Sequence, residues 1–156
     1  MKVSIDEFTK RKIQEQANFF AKSLVAIVRA VKKHYGEEGV DIIKEAWMEE
    51  LYRKPWKKIG KKVKRNDVQT LARLVEEACI GTHEWERIID EPNRVGFKFT
   101  KCYWAEVFKE LGATDIGKWL CDSDPVYCKA FNPKIKFRRT KTLMSGDDCC
   151  DHVFYV

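Results

Sequence analysis

The last eleven residues of the chain place reactive side chains directly ahead of an apolar segment. From Gly146 to Val156 they read Gly-Asp-Asp-Cys-Cys-Asp-His-Val-Phe-Tyr-Val. Because side chains alternate along a strand, Cys150 and His152 are predicted to share one face, about 6–7 Å apart at the backbone. A nearby imidazolium lowers the pKa of a thiol and raises its thiolate fraction. The spacing therefore predicts an activated Cys150, although a polar turn leading into a buried strand would look the same.

The remaining cysteines differ in where they fall along the chain. The six cysteines include no Cys-x-x-Cys pair, so the strong zinc signature is missing. Cys102, Cys121 and Cys150 fall at the ends of predicted elements, where side chains can converge on one cleft. We therefore expect these three to line a shared site. Cys79 and Cys128 occupy helix-face positions that are typical of small buried side chains.

A second interpretation makes the same region a metal- or cofactor-binding module without catalytic activity. Three thiolates and an imidazole are the ligands of a closed tetrahedral zinc site. The candidate ligands are Cys102, Cys121, Cys150 and His152. The catalytic interpretation requires no metal and no cofactor, so the metal content of the purified protein distinguishes the two.

Length and composition indicate one globular domain over residues 1–156, with a helical half (1–80) and a sheet half (81–156). Hydrophobic residues make up 44% and aromatic residues 12% of the chain, which argues against disorder. No apolar run approaches the ~20 residues that span a bilayer. The N-terminus also lacks the apolar core of a signal peptide, so we expect a cytoplasmic protein with reduced thiols and no membrane partner. The sequence also allows a homo-oligomer.

The most basic segment is residues 53–65, which hold eight cations and no acid. Trp56 within it could stack on a nucleic-acid base. However, Trp56, Ile59 and Val63 recur at helical spacing, with lysines between them. We therefore interpret the segment as the solvated face of a helix rather than as a nucleic-acid site.

Helices are predicted throughout the first half. A Ser-x-x-Glu capping box at residues 4–7 precedes a long amphipathic helix that ends at Gly36. A second helix follows over residues 37–53 and is interrupted by Pro55, which lacks an amide donor. Asp67 is predicted to cap a third helix.

The pattern changes near residue 81 to alternating apolar and polar residues. It predicts two hairpins with two helices between them: strands 83–89 and 95–100, helices 102–111 and 115–131, and strands 134–143 and 152–156. Together with the first half, this predicts an α+β fold, in which the N-terminal helices pack on one face of a small antiparallel sheet.

Four stretches of the second half match the pattern of a known family: Phe99–Gly112, Cys121–Tyr127, Phe131–Leu143 and Gly146–His152. Through them the second half of the chain, most strongly residues 95–156, resembles the L-2-amino-thiazoline-4-carboxylic acid hydrolase family of bacterial proteins. The last stretch is the most specific. The family pattern has one cysteine where this chain has Cys149 and Cys150, and we align it with Cys150.

The resemblance implies a hydrolase that opens a small cyclic amidine, such as a 2-aminothiazoline carboxylate, to an N-carbamoyl amino acid. Water must add to the ring carbon between sulfur and nitrogen, and the sulfur must then leave. This chemistry requires an activated water or thiolate, an acid for the ring nitrogen or the sulfur, and a cation for the substrate carboxylate.

Residues for these roles are assigned from their chemistry. Cys150 with His152 would supply the nucleophile or the activated water. A carboxylate would bind the protonated amidine, as carboxylates bind guanidinium groups, and a cation would bind the substrate carboxylate. The candidates for these two roles are Asp124 or Asp148, and Arg139 or Lys141. Cys102 and Cys121 would line the substrate cleft.

Overall fold

A computed structural model describes residues 5–156 and confirms the predicted α+β class. The helices are α1 (Glu7–Met48), α2 (Lys54–Lys62), α3 (Val68–Cys79), α4 (Tyr103–Glu110) and α5 (Thr114–Phe131). The strands are β1 (His83–Glu91), β2 (Arg94–Cys102), β3 (Lys136–Arg138) and β4 (Cys150–Tyr155). A π-helical turn (Glu49–Arg53) joins α1 to α2, and a 3-10 turn (Leu143–Ser145) precedes β4.

The helix breaks follow the local sequence. Helix α1 is interrupted at Gly36, which has φ 68° and ψ −164°, as predicted from a residue that adopts positive φ without a steric penalty. The irregular turn before α2 lies directly ahead of Pro55, which has no N–H to donate to it. The predicted capping box includes Ser4, which lies outside the described residues. Within them, Asp6 caps α1 by accepting the Thr9 N–H at 2.9 Å.

The sheet has four antiparallel strands in the order β1-β2-β4-β3. Strand β4 lies between β2 and β3, so the last strand of the chain is central. Its register places His152 opposite Phe97 and Cys150 opposite Phe99, on the face that packs against the helices. Cys150 and His152 therefore share a face, as their spacing predicted.

The strand predicted over residues 134–143 is much shorter in the structure. Only Lys136–Arg138 pair with β4. Beyond them the N–H groups of Thr140 and Lys141 donate to the side chain of Asp151, at 2.8 and 2.6 Å, instead of to a neighbouring strand. A local carboxylate thus ends the strand earlier than the alternating pattern indicated.

Helix α5 belongs to two apolar clusters that together form the core. In the first, Phe131 packs with α3 and with the sheet residues Phe97 and Phe154. In the second, Trp119 packs against α1 and α4. Helix α5 therefore connects the sheet to the N-terminal helices, and residues on it are well placed to form a buried site. None of the helices within residues 5–156 is long and apolar enough to cross a bilayer.

The basic segment forms a helix with one packed face, as predicted. Trp56 stacks on Tyr127 with 4.8 Å between ring centroids, and Ile59 and Val63 pack on the same cluster. Gly60 allows this close approach, because a Cβ atom there would lie 2.2 Å from the Phe131 carbonyl oxygen. Trp56 is therefore part of the core and does not form an exposed platform for bases.

Candidate active site

A proline in α5 creates the local geometry of the site. Pro125 has no N–H to donate to the carbonyl of Cys121, one turn earlier. The Nη1 group of Arg139 donates to that carbonyl at 3.0 Å and to Oδ2 of Asp124 at 2.5 Å. Arg139 thus replaces the missing backbone donor and binds the neighbouring carboxylate at the same time.

Asp124 is a buried carboxyl group, with a side chain 13% exposed. Burial raises the pKa of Asp124 to about 7, although the charge of Arg139 and hydrogen bonds from Tyr127 and Arg139 oppose the rise. An acid with a pKa near the working pH can both accept and release a proton. Asp124 is therefore the carboxylate in the described region best suited to proton transfer.

His152 lies beside Asp124 in an apolar environment. Its Nε2 atom is 3.8 Å from Oδ2 of Asp124, and its ring contacts Phe99 and Phe137 at 4.8 and 5.3 Å between centroids. Burial, assisted by the charge of Arg139, lowers the pKa of His152 to about 3, so the ring is neutral. Its Nδ1 atom is buried without a hydrogen-bond partner among residues 5–156. A buried polar atom of this kind costs free energy unless a ligand or water binds it.

Cys150 is close to this group, and burial opposes the activation that its spacing to His152 predicts. Its sulfur accepts the N–H of Leu143 at 3.2 Å and lies 3.8 Å from the hydroxyl of Thr142. We predicted that an imidazolium at His152 would lower the pKa of the thiol. Instead, burial raises the pKa of Cys150 and lowers that of His152, because burial disfavours both charged forms.

The structure brings together the three cysteines that were expected to share a cleft. The Cys121 sulfur lies 3.5 Å from the same Thr142 hydroxyl that Cys150 approaches. Cys102 is near enough to both that their charges would raise the pKa of its thiol, which burial already raises to about 12. Cys121 lies in the middle of α5 and not at the end of a helical stretch, because α5 continues through Pro125.

Asp148 and Lys141 occupy a different environment. They form an ion pair at 2.8 Å on the connection between β3 and β4, with side chains 72% and 49% exposed. The hydrogen bond and charge of Lys141 lower the pKa of Asp148. The structure thus separates the four candidates into a buried pair, Asp124 and Arg139, and an exposed pair.

Two residues beside the site, His83 and Tyr127, were not predicted from the sequence. His83 is buried against Phe99, and burial lowers its pKa to about 4. Tyr127 is buried, and its hydroxyl acts on Asp124 in the direction that lowers the pKa of the carboxyl group. Tyr127 was recognisable in principle, because a residue three positions after Asp124 lies on the same side of a helix.

The metal-site interpretation is not supported. Within residues 5–156 no group of three or more histidine, cysteine, aspartate or glutamate side chains is arranged to hold a metal ion. Cys102, Cys121 and Cys150 lie near one another, but with His152 they do not form the tetrahedral set that we considered.

An open cleft leads from solvent to Arg139. It has a volume of about 530 Å³ and lies between α5 and the end of the sheet. Its lining residues are Asp122, Pro125, Phe137, Arg138, Arg139 and Tyr155. Because Arg139 both lines this cleft and binds Asp124, a small anion entering the cleft would meet a guanidinium that is hydrogen-bonded to the Asp124 carboxyl group.

Comparison with known proteins agrees with the resemblance seen in the sequence. No curated protein sequence matches the chain. The sequence profile that describes L-2-amino-thiazoline-4-carboxylic acid hydrolases matches residues 15–154. The match includes the N-terminal helices as well as α5, β4 and the residues of the site. The chain therefore belongs to the L-2-amino-thiazoline-4-carboxylic acid hydrolase family.

Proposed function

We propose that the protein hydrolyses a 2-aminothiazoline carboxylate, a small cyclic amidine, to an N-carbamoyl amino acid. The observation that carries this proposal is the pairing of Asp124, whose pKa is about 7, with Arg139 at an open cleft. Membership of the family supports a hydrolase of this kind.

The reaction needs a group that first accepts a proton and later donates one. The oxygen of water bonds to the ring carbon between sulfur and nitrogen, and the bond from that carbon to sulfur breaks. One proton of the water ends on the ring nitrogen and the other on the departing sulfur, so no oxidant or reductant is consumed. Asp124 as a carboxylate takes a proton from the attacking water and returns it as a carboxylic acid.

Arg139 is the proposed binding residue for the substrate carboxylate. A guanidinium carries five N–H donors, and the hydrogen bonds that Arg139 makes within residues 5–156 use Nη1 alone. Arg139 lines the cleft, and its remaining donors could bind a carboxylate through two parallel hydrogen bonds. This would place the ring of the substrate next to Asp124.

His152 is proposed to orient the substrate. A neutral imidazole has one donor and one acceptor nitrogen, and Nδ1 has no hydrogen-bond partner in the described part of the chain, residues 5–156. The amidine offers both an N–H donor and a nitrogen acceptor, so it can satisfy this atom in either tautomer. Binding of the substrate would then remove the cost of the unpaired nitrogen.

Cys150 provides a second route, supported by the Leu143 N–H that points at its sulfur. In this route the thiolate bonds to the ring carbon and the ring sulfur leaves. Water then cleaves the new carbon–sulfur bond, releasing the same product and the thiol. Burial of the thiol favours the water route, in which Cys150 forms no covalent bond.

The test is to incubate the full-length protein with 2-aminothiazoline-4-carboxylate. Loss of the ring and gain of the carbamoyl product are followed by mass spectrometry, and the released thiol is titrated. We expect turnover by the native protein, a loss on the order of 10²–10⁴ for Asp124→Asn, and no loss for the exposed control Glu15→Gln. Absence of turnover by folded native protein would overturn the proposed function.

The two routes are distinguished in the same experiment by stopping the reaction with acid during turnover. The covalent route predicts an adduct on the peptide that contains Cys150, whereas the water route predicts unmodified peptide. Asp148→Asn, in the exposed pair, tests the assignment of the carboxylate, because we expect it to be much less damaging than Asp124→Asn.

A further inference from the structure

The six free cysteines differ in what surrounds their sulfur atoms. Cys79 and Cys128 are buried as predicted, and burial raises the pKa of Cys128 to about 12 and that of Cys79 further. The Cys128 sulfur lies 3.7 Å from the carbonyl oxygen of Ile135, a contact that favours the neutral thiol. These thiols are expected to be unreactive, because the thiolate is the reactive form.

Cys121 and Cys150 have surroundings that favour a thiolate more strongly. The Leu143 N–H donates to the Cys150 sulfur, and the Thr142 hydroxyl lies beside both sulfurs. The positive charge of Arg139 acts on both thiols in the direction that favours ionisation. Burial still opposes ionisation of both thiols. Their surroundings therefore favour the thiolate more than those of Cys79 and Cys128 do, but do not ionise it fully.

The two sulfurs are neighbours that belong to distant parts of the chain. Cys121 lies on α5 and Cys150 begins β4, and they approach one Thr142 hydroxyl at 3.5 and 3.8 Å. Cys149 is next to Cys150 in sequence but precedes β4, and within residues 5–156 its sulfur makes no hydrogen bond to the Thr142 hydroxyl. The geometry therefore pairs Cys150 with Cys121 and not with its sequence neighbour.

We propose that Cys121 and Cys150 form a dithiol modification site that small peroxides oxidise reversibly to a disulfide. The Cys150 thiolate attacks the O–O bond of hydrogen peroxide, giving a sulfenic acid and, after protonation, one water. The Cys121 thiol then attacks that sulfur, an S–S bond forms, and a second water leaves. Two thiols lose two electrons and two protons in total, and one peroxide becomes two waters.

The disulfide would alter the site that surrounds it. An S–S bond is ~2.05 Å long, so the two side chains must rotate towards each other, which changes their contacts with the Thr142 hydroxyl. The Cys121 carbonyl is one of the two groups that hold Arg139. Oxidation would therefore disturb the Arg139–Asp124 pair, and, if the proposed function is correct, it would lower hydrolase activity reversibly.

The test uses full-length protein, hydrogen peroxide in small molar excess and a mass readout that does not depend on activity. Free thiols are blocked with N-ethylmaleimide, and the protein is digested without reductant. We expect a cross-linked pair of peptides containing Cys121 and Cys150, a protein mass lower by two hydrogen atoms before blocking, and reversal of both by dithiothreitol.

Variants make the assignment specific. Cys121→Ser and Cys150→Ser are expected to abolish the cross-link, whereas Cys149→Ser and Cys79→Ser are expected to retain it. A cross-link through Cys149 or Cys102, or oxidation of Cys150 to a sulfinic acid without any cross-link, would overturn the proposal. If a variant fails to fold, the peptide map of the native protein still decides the outcome. A cross-link in a protein that shows no turnover would support this site and count against the proposed function alone.

Discussion

Arg139 and Asp124 are joined at the turn of α5 where Pro125 has no N–H to donate. The same Nη1 group binds the Asp124 carboxylate and the Cys121 carbonyl that the proline leaves without a backbone donor. A helix-breaking residue thereby creates a binding position for a cation from a distant part of the chain, the residue that directly follows β3. This relationship explains how the Cys-Asp-Ser-Asp-Pro segment and the Lys-Phe-Arg-Arg segment act together.

Replacement of Arg139 by lysine should be damaging although it retains the charge. A lysine ammonium cannot reproduce the planar fork that binds a carboxylate through two hydrogen bonds. We expect kcat/KM to fall by on the order of 10² and stability to fall by about 1–3 kcal/mol, since a buried carboxyl loses a partner. Steady-state kinetics and urea unfolding measure both, with Arg11→Lys on the exposed face of α1 as the matched control. Changes no larger than those of the control would contradict the role of Arg139.

The pH dependence of the reaction should report Asp124. Because burial raises its pKa to about 7, the carboxylate needed as a base forms only as the pH rises through that value. We expect kcat/KM to increase across neutral pH with a midpoint near 7. Asp124→Asn should remove this ionisation from the residual rate. A midpoint near the ordinary value for aspartate, ~4, would show that Asp124 is not the base.

Stability should decrease on mild acidification. His83 and His152 have lowered pKa values of about 4 and 3, so between pH 4 and 6.5 the unfolded chain binds more protons at both positions. Asp124 acts oppositely, because its raised pKa of about 7 makes the native state bind the proton over most of that range. The two histidines outweigh the single carboxyl group, so the free energy of unfolding should fall by roughly 1 kcal/mol for each pH unit of acidification.

The free energy of unfolding in urea at several pH values between about 4.5 and 6.5 measures this slope. His83→Gln removes one of the two histidines and should flatten the slope towards zero. The exposed control Glu38→Gln should leave it unchanged. A slope that is the same in His83→Gln and the native protein would contradict the buried, neutral state of His83.

The alkylation of Cys150 should show a raised pKa. From the sequence we predicted a midpoint below that of a free thiol, ~8.5. Because burial raises the pKa of Cys150, we now expect iodoacetamide to modify it with a midpoint above that value. Peptide mapping across pH gives the midpoint for each cysteine. A midpoint below ~8.5 at Cys150 would restore the activated thiol and favour the covalent route.

The two faces of α2 should respond very differently to substitution. Lys57, Lys58, Lys61 and Lys62 are exposed, so glutamine at all four should leave fold and activity nearly unchanged, since each surface change is worth about 0.5 kcal/mol or less. Trp56→Ala removes the ring stacked on Tyr127 and should cost about 3–5 kcal/mol. Thermal unfolding compares them directly. A strongly destabilised lysine variant would show that the segment makes contacts beyond its packed face.

Much of the fold was predictable because it depends on neighbouring residues. The break at Gly36, the cap at Asp67 and the β1–β2 hairpin follow from backbone preferences and short-range hydrogen bonds. The shared face of Cys150 and His152 follows from the alternation of side chains along a strand. Local patterns of this kind need no knowledge of distant parts of the chain.

Only the tertiary structure decided which candidates act together and in which protonation state. The sequence offered Asp124 and Asp148 as equivalent carboxylates, and Arg139 and Lys141 as equivalent cations. Folding buries Asp124 and Arg139 together, whereas Asp148 and Lys141 form an ion pair at the surface. Burial opposes the expected activation of Cys150 for the same reason, because a pKa depends on burial and on partners that are distant in sequence. Residue types and spacing thus determined the elements and the candidate groups, whereas long-range packing determined their solvation and therefore their chemistry.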